Sequence, residues 1–196
     1  MAGVRQFDEE QVLSQALALF WRQGLRETSM LQLAEATGVQ RGSLYHAYGS
    51  KETLFQLAFE RYAARFLTAA KGALEEPDPR QALLTFFDIA IANMTQGTPP
   101  RGCLTTKTAA QLDSAGKPVR QQLRALLDEL EEAVREALSG KAARKRLVLE
   151  PAEAARVIVI FTRGLAVRER VHGSPKRLRA SAAALVRALF AEPKRR

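Results

Sequence analysis

The chain reads as an all-α protein of about nine helices, on three observations. Helix-start and helix-stop residues punctuate its whole length, the apolar residues between them repeat at three- and four-residue spacing, and no run is bounded as a strand would be. One segment tests the reading. "RVIVIF", residues 156–161, has the β-branched content of a buried strand, but the Ala-rich and Arg-rich periodicity on either side extends it well past strand length, so it is assigned to a helix.

The first helix opens at Asp8, an N-cap with Gln11 three residues on, and Phe7 and Val12 stand where a hydrophobic staple would fix the entry angle. Val12, Leu13, Ala16, Leu17, Phe20 and Trp21 share one face and Gly24 ends the helix, so Phe20 and Trp21 are read as core rather than as a stacking platform for bases. Ser29 with Gln32 makes a second cap, after which Leu33 faces inward and the small Ala34 lets a neighbouring helix approach. Gly38 permits a sharp turn, and Val39, Leu44 and Tyr48 then seat a third helix on the second. Breaks at "PDP", "GTPPRG", "AGKP", "SG", "EP" and "GSP" delimit further helices over about 50–74, 80–96, 103–113, 118–138, 151–171 and 176–191.

Two short helices joined by a Gly turn can set the second into a DNA major groove. The outer face of that second helix carries Gln40, Arg41, Gly42, Ser43 and His46, which packing does not call for. Arg41 suits the O6 and N7 of guanine, Gln40 suits adenine, and Gly42 lets backbones approach closely. Ser43, Tyr45 and Lys51 suit phosphate oxygens, with Lys51 in the first turn of the next helix. Taken singly, each also has a plain account: a solvated arginine, a half-packed tyrosine, a first-turn surface lysine.

Bulk composition narrows the function classes. The 196 residues carry a formal charge of +9, yet residues 1–50 hold four arginines against five carboxylates, and the excess lies after residue 140 in "KAARKR", "RGLAVRER", "PKRLR" and "PKRR". Such runs are ordinarily solvated surface, so net charge by itself does not argue for nucleic acid. One cysteine, Cys103, excludes an internal disulfide, and with only His46 and His172 there is no zinc spacing. No metal or cofactor is expected, and no enzyme either, since neither a nucleophile with its base nor a phosphate loop is present. No stretch nears the roughly 18 apolar residues of a membrane span and the N-terminus lacks a signal peptide's apolar middle, so a cytoplasmic location is expected.

The order "TSMLQLAEATGVQRGSLYHAYGSKETLF" closely resembles the DNA-binding segment of the TetR/AcrR family of transcriptional regulators, densely so over residues 8–58. The resemblance implies a three-helix helix-turn-helix head (1–50), a helix (51–74) connecting it to an effector-binding and dimerisation part (51–196), and a dimer through the last two helices. It assigns phosphate or cap contacts to Ser29, Ser43, Tyr45 and Lys51, and base-facing positions to Gln40, Arg41, Gly42 and His46. Thr37 stands where the family usually has Ala, and Ala47 and Tyr48 also depart from it, which bears on the operator sequence more than on DNA binding.

Helices 151–171 and 176–191 carry apolar stripes, Ala155, Ile158, Phe161, Gly164 and Leu165, then Leu178, Ala182, Leu185, Val186 and Leu189, large enough to leave an exposed patch on a monomer. A homodimer would bury it and would set two heads on a palindromic operator. Phe86, Phe87, Met94, Thr106 and Phe161 are open to two readings, an effector pocket or plain core. Cys103, in "PPRGCLTT" between Arg101 and Lys107, is likewise either a sensing thiolate or a small buried hydrophobe. The reading is therefore a dimeric repressor released by a small-molecule effector. The alternatives are a repressor responding through Cys103 and a DNA-bound scaffold without an effector.

Overall fold

The computed structural model describes residues 7–191, the side chains of Ser114 and Ala115 excepted; the N-terminal six residues and the "PKRR" run lie outside the described residues. Among these residues are ten helices: α1 (Glu9–Gln23), α2 (Met30–Thr37), α3 (Arg41–Tyr48), α4 (Lys51–Leu74), α5 (Pro79–Thr95), α6 (Leu104–Ala109), α7 (Leu112–Leu138), α8 (Lys141–Arg144), α9 (Pro151–His172) and α10 (Pro175–Leu189). The tenth, α8, is a single turn inside the basic stretch that the sequence marks only as charged, and it is anchored by the buried Ala143. "RVIVIF" lies within α9, as its flanks required. The expected break before residue 118 is present: within α7 the backbone leaves the helical region at Gly116, φ 79° and ψ 169°, just ahead of Pro118, which has no N–H to donate.

Caps explain why the first helices start where they do. Asp8 accepts from the N–H groups of Glu10 and Gln11 at 2.9 and 3.2 Å. Ser29 and Gln32 form a full capping box, each side chain bonded to the other residue's N–H, and Gly38 closes α2 in the left-handed region at φ 65°. Phe7 meets Tyr48, ring centroids 6.3 Å apart.

Contacts divide the chain into two compact units that interleave in sequence. The first joins the chain up to Ala64 with Leu104–Leu123, and the second joins Arg65–Cys103 with the chain from Arg124 onward. A division after residue 50 does not anticipate this, because the ties that bring α6 and the start of α7 to the first unit are long-range. Lys107 Nζ donates to Trp21 O at 2.7 Å, Leu25 N donates to Gln111 Oε1 at 3.0 Å, and Gln122 Nε2 donates to Gln56 O at 3.4 Å. The core of this unit holds Leu13, Phe20, Leu33, Leu44, Leu54, Phe55 and Phe59, all 2% exposed or less. Phe20 meets Phe55 edge-on at 5.1 Å and Trp21 meets Tyr62 at 5.0 Å, so both residues of α1 are core, as their helical period indicates.

In the second unit, α5 packs against α9 and α10. Phe86, Phe87 and Met94 are buried, and Phe87 meets Phe161 edge-on at 5.8 Å, an arrangement of close-packed core. Asp88 pairs with Arg179 at 2.8 Å. Past α10 the chain turns extended at Phe190, two residues short of the expected helix end, and forms an isolated bridge with Leu147. Arg80 donates to the carbonyls of Phe190 and Ala191, both at 3.3 Å, and its guanidinium lies over the Phe190 ring.

Candidate nucleic-acid interface

Eight residues of α3 decide the site. Leu44 is fully buried and Tyr48 is 4% exposed, so these two fix which side of a short helix faces inward. The opposite side and the residue before it, Gln40, Arg41, Gly42, Ser43, Tyr45 and His46, are all exposed. These are the residues expected to face DNA, and the structure brings them onto one surface. Gln40 occupies the N-cap position without a side-chain cap bond. A Cβ built on Gly42 meets nothing within 4 Å, so no packing inside the protein demands glycine there. Gly42 is the second residue of α3, in its first turn.

The Ser29 side chain is committed to the α2 cap, the second of the two roles expected for it. Ser50, directly before α4, likewise accepts from Thr53 N at 3.1 Å and caps that helix.

Lys51 has an occupation other than the expected phosphate contact. Its ammonium donates to the carbonyls of Leu25, Arg26 and Thr28 at 3.1, 3.2 and 2.9 Å, three acceptors of the α1–α2 connection. A lysine ammonium has three protons, and all three are taken. Thr28, buried to 1% exposure, adds a bond from its hydroxyl to Gly24 O at 2.7 Å. The run from Trp21 to Thr28 is therefore held by side chains from α4 and α6 as well as by its own. Sequence reading gave Lys107 only as a neighbour of Cys103 and missed Gln111, since nothing local marks a side chain whose partner is 86 residues away; it also gave Thr28 no role, although its hydroxyl partner is only four residues back.

Gly24 belongs to the same cluster. At φ 88° it adopts a conformation L side chains rarely take, and an added Cβ would lie 2.5 Å from Gln111 Nε2. Beside it a small cavity is walled by Phe20, Leu25, Phe55 and Leu104, with Lys107, Thr108 and Gln111 at its polar edge.

The left-handed turn at Gly38 between α2 and α3 and the outward face of α3 both fall within the stretch matched by the family model described as bacterial regulatory proteins, tetR family, residues 12–58. A second model, described as tetracyclin repressor-like, C-terminal domain, matches residues 79–185, more than half the chain. The chain belongs to the TetR family. Among curated TetR-type relatives, the HTH-type transcriptional repressor ComR of Escherichia coli is 37% identical over 109 residues, which cover 54% of this chain and 51% of ComR. The chain spans about half the length of the curated relatives it matches. Solved structures are matched nearly whole. The TetR family regulator CifR, as a cysteine mutant complexed with 26-base-pair double-strand operator DNA, is 29% identical with a TM-score of 0.80 over 95% of this chain and 99% of that one. The reduced form of E. coli NemR has a TM-score of 0.83 over 95% and 98% of the two chains at 21% identity, a likeness of fold.

Cys103 is 9% exposed and stands just before α6. Of the two cations beside it in sequence, Arg101 donates to Asn93 O and Oδ1, both at 3.0 Å, and Lys107 donates to Trp21 O. Among the described residues no helix is long and apolar enough to cross a membrane, and no group of three or more His, Cys, Asp and Glu side chains is placed to hold a metal ion.

Proposed function

We propose that this chain is a dimeric, sequence-specific DNA-binding repressor, released from a palindromic operator by a small-molecule effector. The observation that carries the reading is the face of α3: six consecutive or near-consecutive residues from Gln40 to His46 exposed, backed by a fully buried Leu44. In this reading Arg41 and Gln40 contact base edges, Gly42 allows the helix backbone close to the duplex, Ser43 meets phosphate, and His46 extends the base-facing row. Ser29 and Lys51 act at one remove, by setting the start of α2 and the path of the chain into it. The operator complex of CifR supports DNA as the partner.

Dimerisation draws on a face of which the sequence singled out only Gly164. Of the other residues named from their spacing, Ala155, Ile158, Leu165, Leu178, Ala182, Val186 and Leu189 are buried within the second unit itself, and Phe161 and Leu185 are half-buried. The outward apolar row of α9 is Val157, Ile160, Val167 and Val171, from 40% to 70% exposed, with the exposed Gly164 between them. Its spacing of three, four, three and four is that of a helix–helix seam, and on α10 Ala180, Ala184 and Ala188 are exposed at intervals of four. A two-fold arrangement of these faces removes large branched side chains from water and gives a dimer with two heads. The functional division proposed is a reading head over residues 1–50 and a sensing and dimerisation part over 51–196, connected by the helix from Lys51 to Leu74. A cytoplasmic location goes with this reading.

Effector control requires that the ligand favour one arrangement of the protein over another by a difference in affinity. The second reading, control through Cys103, is favoured by the CifR work having used cysteine mutants, and opposed by the burial of this thiol. The test of DNA binding is selection of fragments by the purified protein from a random or genomic pool at low salt, followed by titration. Enrichment of an inverted repeat supports the proposal; uniform recovery of all fragments at every salt concentration overturns it.

A further inference from the structure

Arg41 and Tyr45 are one helical turn apart on the outer face of α3, and the Arg41 guanidinium carbon lies 5.9 Å from the centre of the Tyr45 ring. Both side chains are exposed, Tyr45 to 45%. The neighbour that Tyr45 offers its ring face to on α3 is a cation. Resting on the α3 reading proposed above, we infer that Tyr45 is a positioning residue for base recognition. Its ring holds the Arg41 guanidinium in the fork orientation that a guanine edge accepts, and this contribution is separate from any phosphate contact made by the hydroxyl.

The physical case has three parts. A free arginine gives up several rotatable bonds when it docks bidentately on a base, and this loss weakens specific binding. A guanidinium over an aromatic face is attracted by the ring quadrupole even at an exposed site, so part of that ordering is already done before DNA arrives. Position matters as well: residues four apart on a helix are neighbours, and Gly42 next to Arg41 has no side chain to compete for the space. Both residues are exposed, so the pair is open to a partner on the outer face of α3. A neutral phenol acting through its hydroxyl would contribute a sequence-blind increment that releases no counterion. A ring acting through Arg41 would contribute discrimination at one base pair and little salt dependence.

The experiment uses the full-length protein and the inverted repeat recovered from fragment selection. Affinity is measured by fluorescence anisotropy, across a salt series, for that repeat and for a version altered at the base pair whose preference Arg41→Ala abolishes. Tyr45→Leu is expected to lower discrimination between the two DNAs by about two- to fivefold with an unchanged salt slope, the size of an exposed cation–π contact. Tyr45→Phe, which keeps the ring, is expected to restore discrimination, and Tyr45→Leu in an Arg41→Ala background is expected to change nothing further. If Tyr45→Phe loses as much affinity as Tyr45→Leu and both lose it equally on the two DNAs, the hydroxyl is a phosphate ligand and the inference falls. If Arg41→Ala leaves base preference untouched, the α3 reading itself fails, and the inference with it. Unaltered thermal unfolding in all four variants excludes loss of fold as the cause.

Discussion

Lys51 separates two accounts of the same residue, and its replacement by methionine measures which one holds. Methionine keeps much of the aliphatic stem and removes the ammonium. Three carbonyls lose their donor, those of Leu25, Arg26 and Thr28, now bonded at 2.9 to 3.2 Å. Leu25 and Thr28 are buried and Arg26 is exposed, so water replaces the lysine readily at only one of the three. At roughly 1 to 3 kcal/mol for each buried acceptor left unmatched, and with partial relaxation, Lys51→Met should cost about 2 to 4 kcal/mol in the stability of the first unit. Urea unfolding followed by the fluorescence of Trp21, the chain's single tryptophan and part of that unit's core, reads this directly as a lower midpoint at similar slope. Operator binding should weaken, because the path into α2 is loosened, but the dependence of log affinity on log salt should stay as it was. A lysine on phosphate behaves differently: its loss would lower the slope by about 0.9 for each subunit and leave unfolding alone. An unchanged urea midpoint together with that loss of slope would refute the reasoning.

Gly42→Ala should raise stability by about 0.5 to 1 kcal/mol, because an open helical position gains a better helix former, while operator affinity drops at least tenfold. A variant that is more stable and binds DNA normally would remove the close-approach role. Ile160→Glu places a charge in the middle of the outward row of α9, so sedimentation should show half the native mass and operator affinity should fall with it. Gln111→Ala leaves Leu25 N without its acceptor and should destabilise the first unit by about 1 to 2 kcal/mol, seen as faster amide exchange in residues 24–28. Cys103→Ser should cost about 1 kcal/mol through a more polar hydroxyl set at a buried position and leave effector-driven DNA release intact. Release by an electrophile in the wild type that this variant lacks would instead establish control through the thiol.

What could be read without coordinates was local. The capping box at Ser29 and Gln32, the stop at Gly24, the left-handed turn at Gly38 and the outward face from Gln40 to His46 depend on residues within one turn of each other, and each appears in the structure where the sequence put it. Helical periodicity carries that information because side chains three and four apart share a face whatever lies beyond the helix. Tertiary structure decided the rest. The partners of Lys51, Lys107 and Gln111 are 23 to 86 residues distant, and no periodic signal reports a carbonyl brought close only by folding. The same holds for α9, which is apolar on two sides: Ile158 is fully buried and Ile160 is 64% exposed, and composition does not distinguish them. Which face turned inward depended on what α5 and α10 offered to pack against, and that is a property of three helices together.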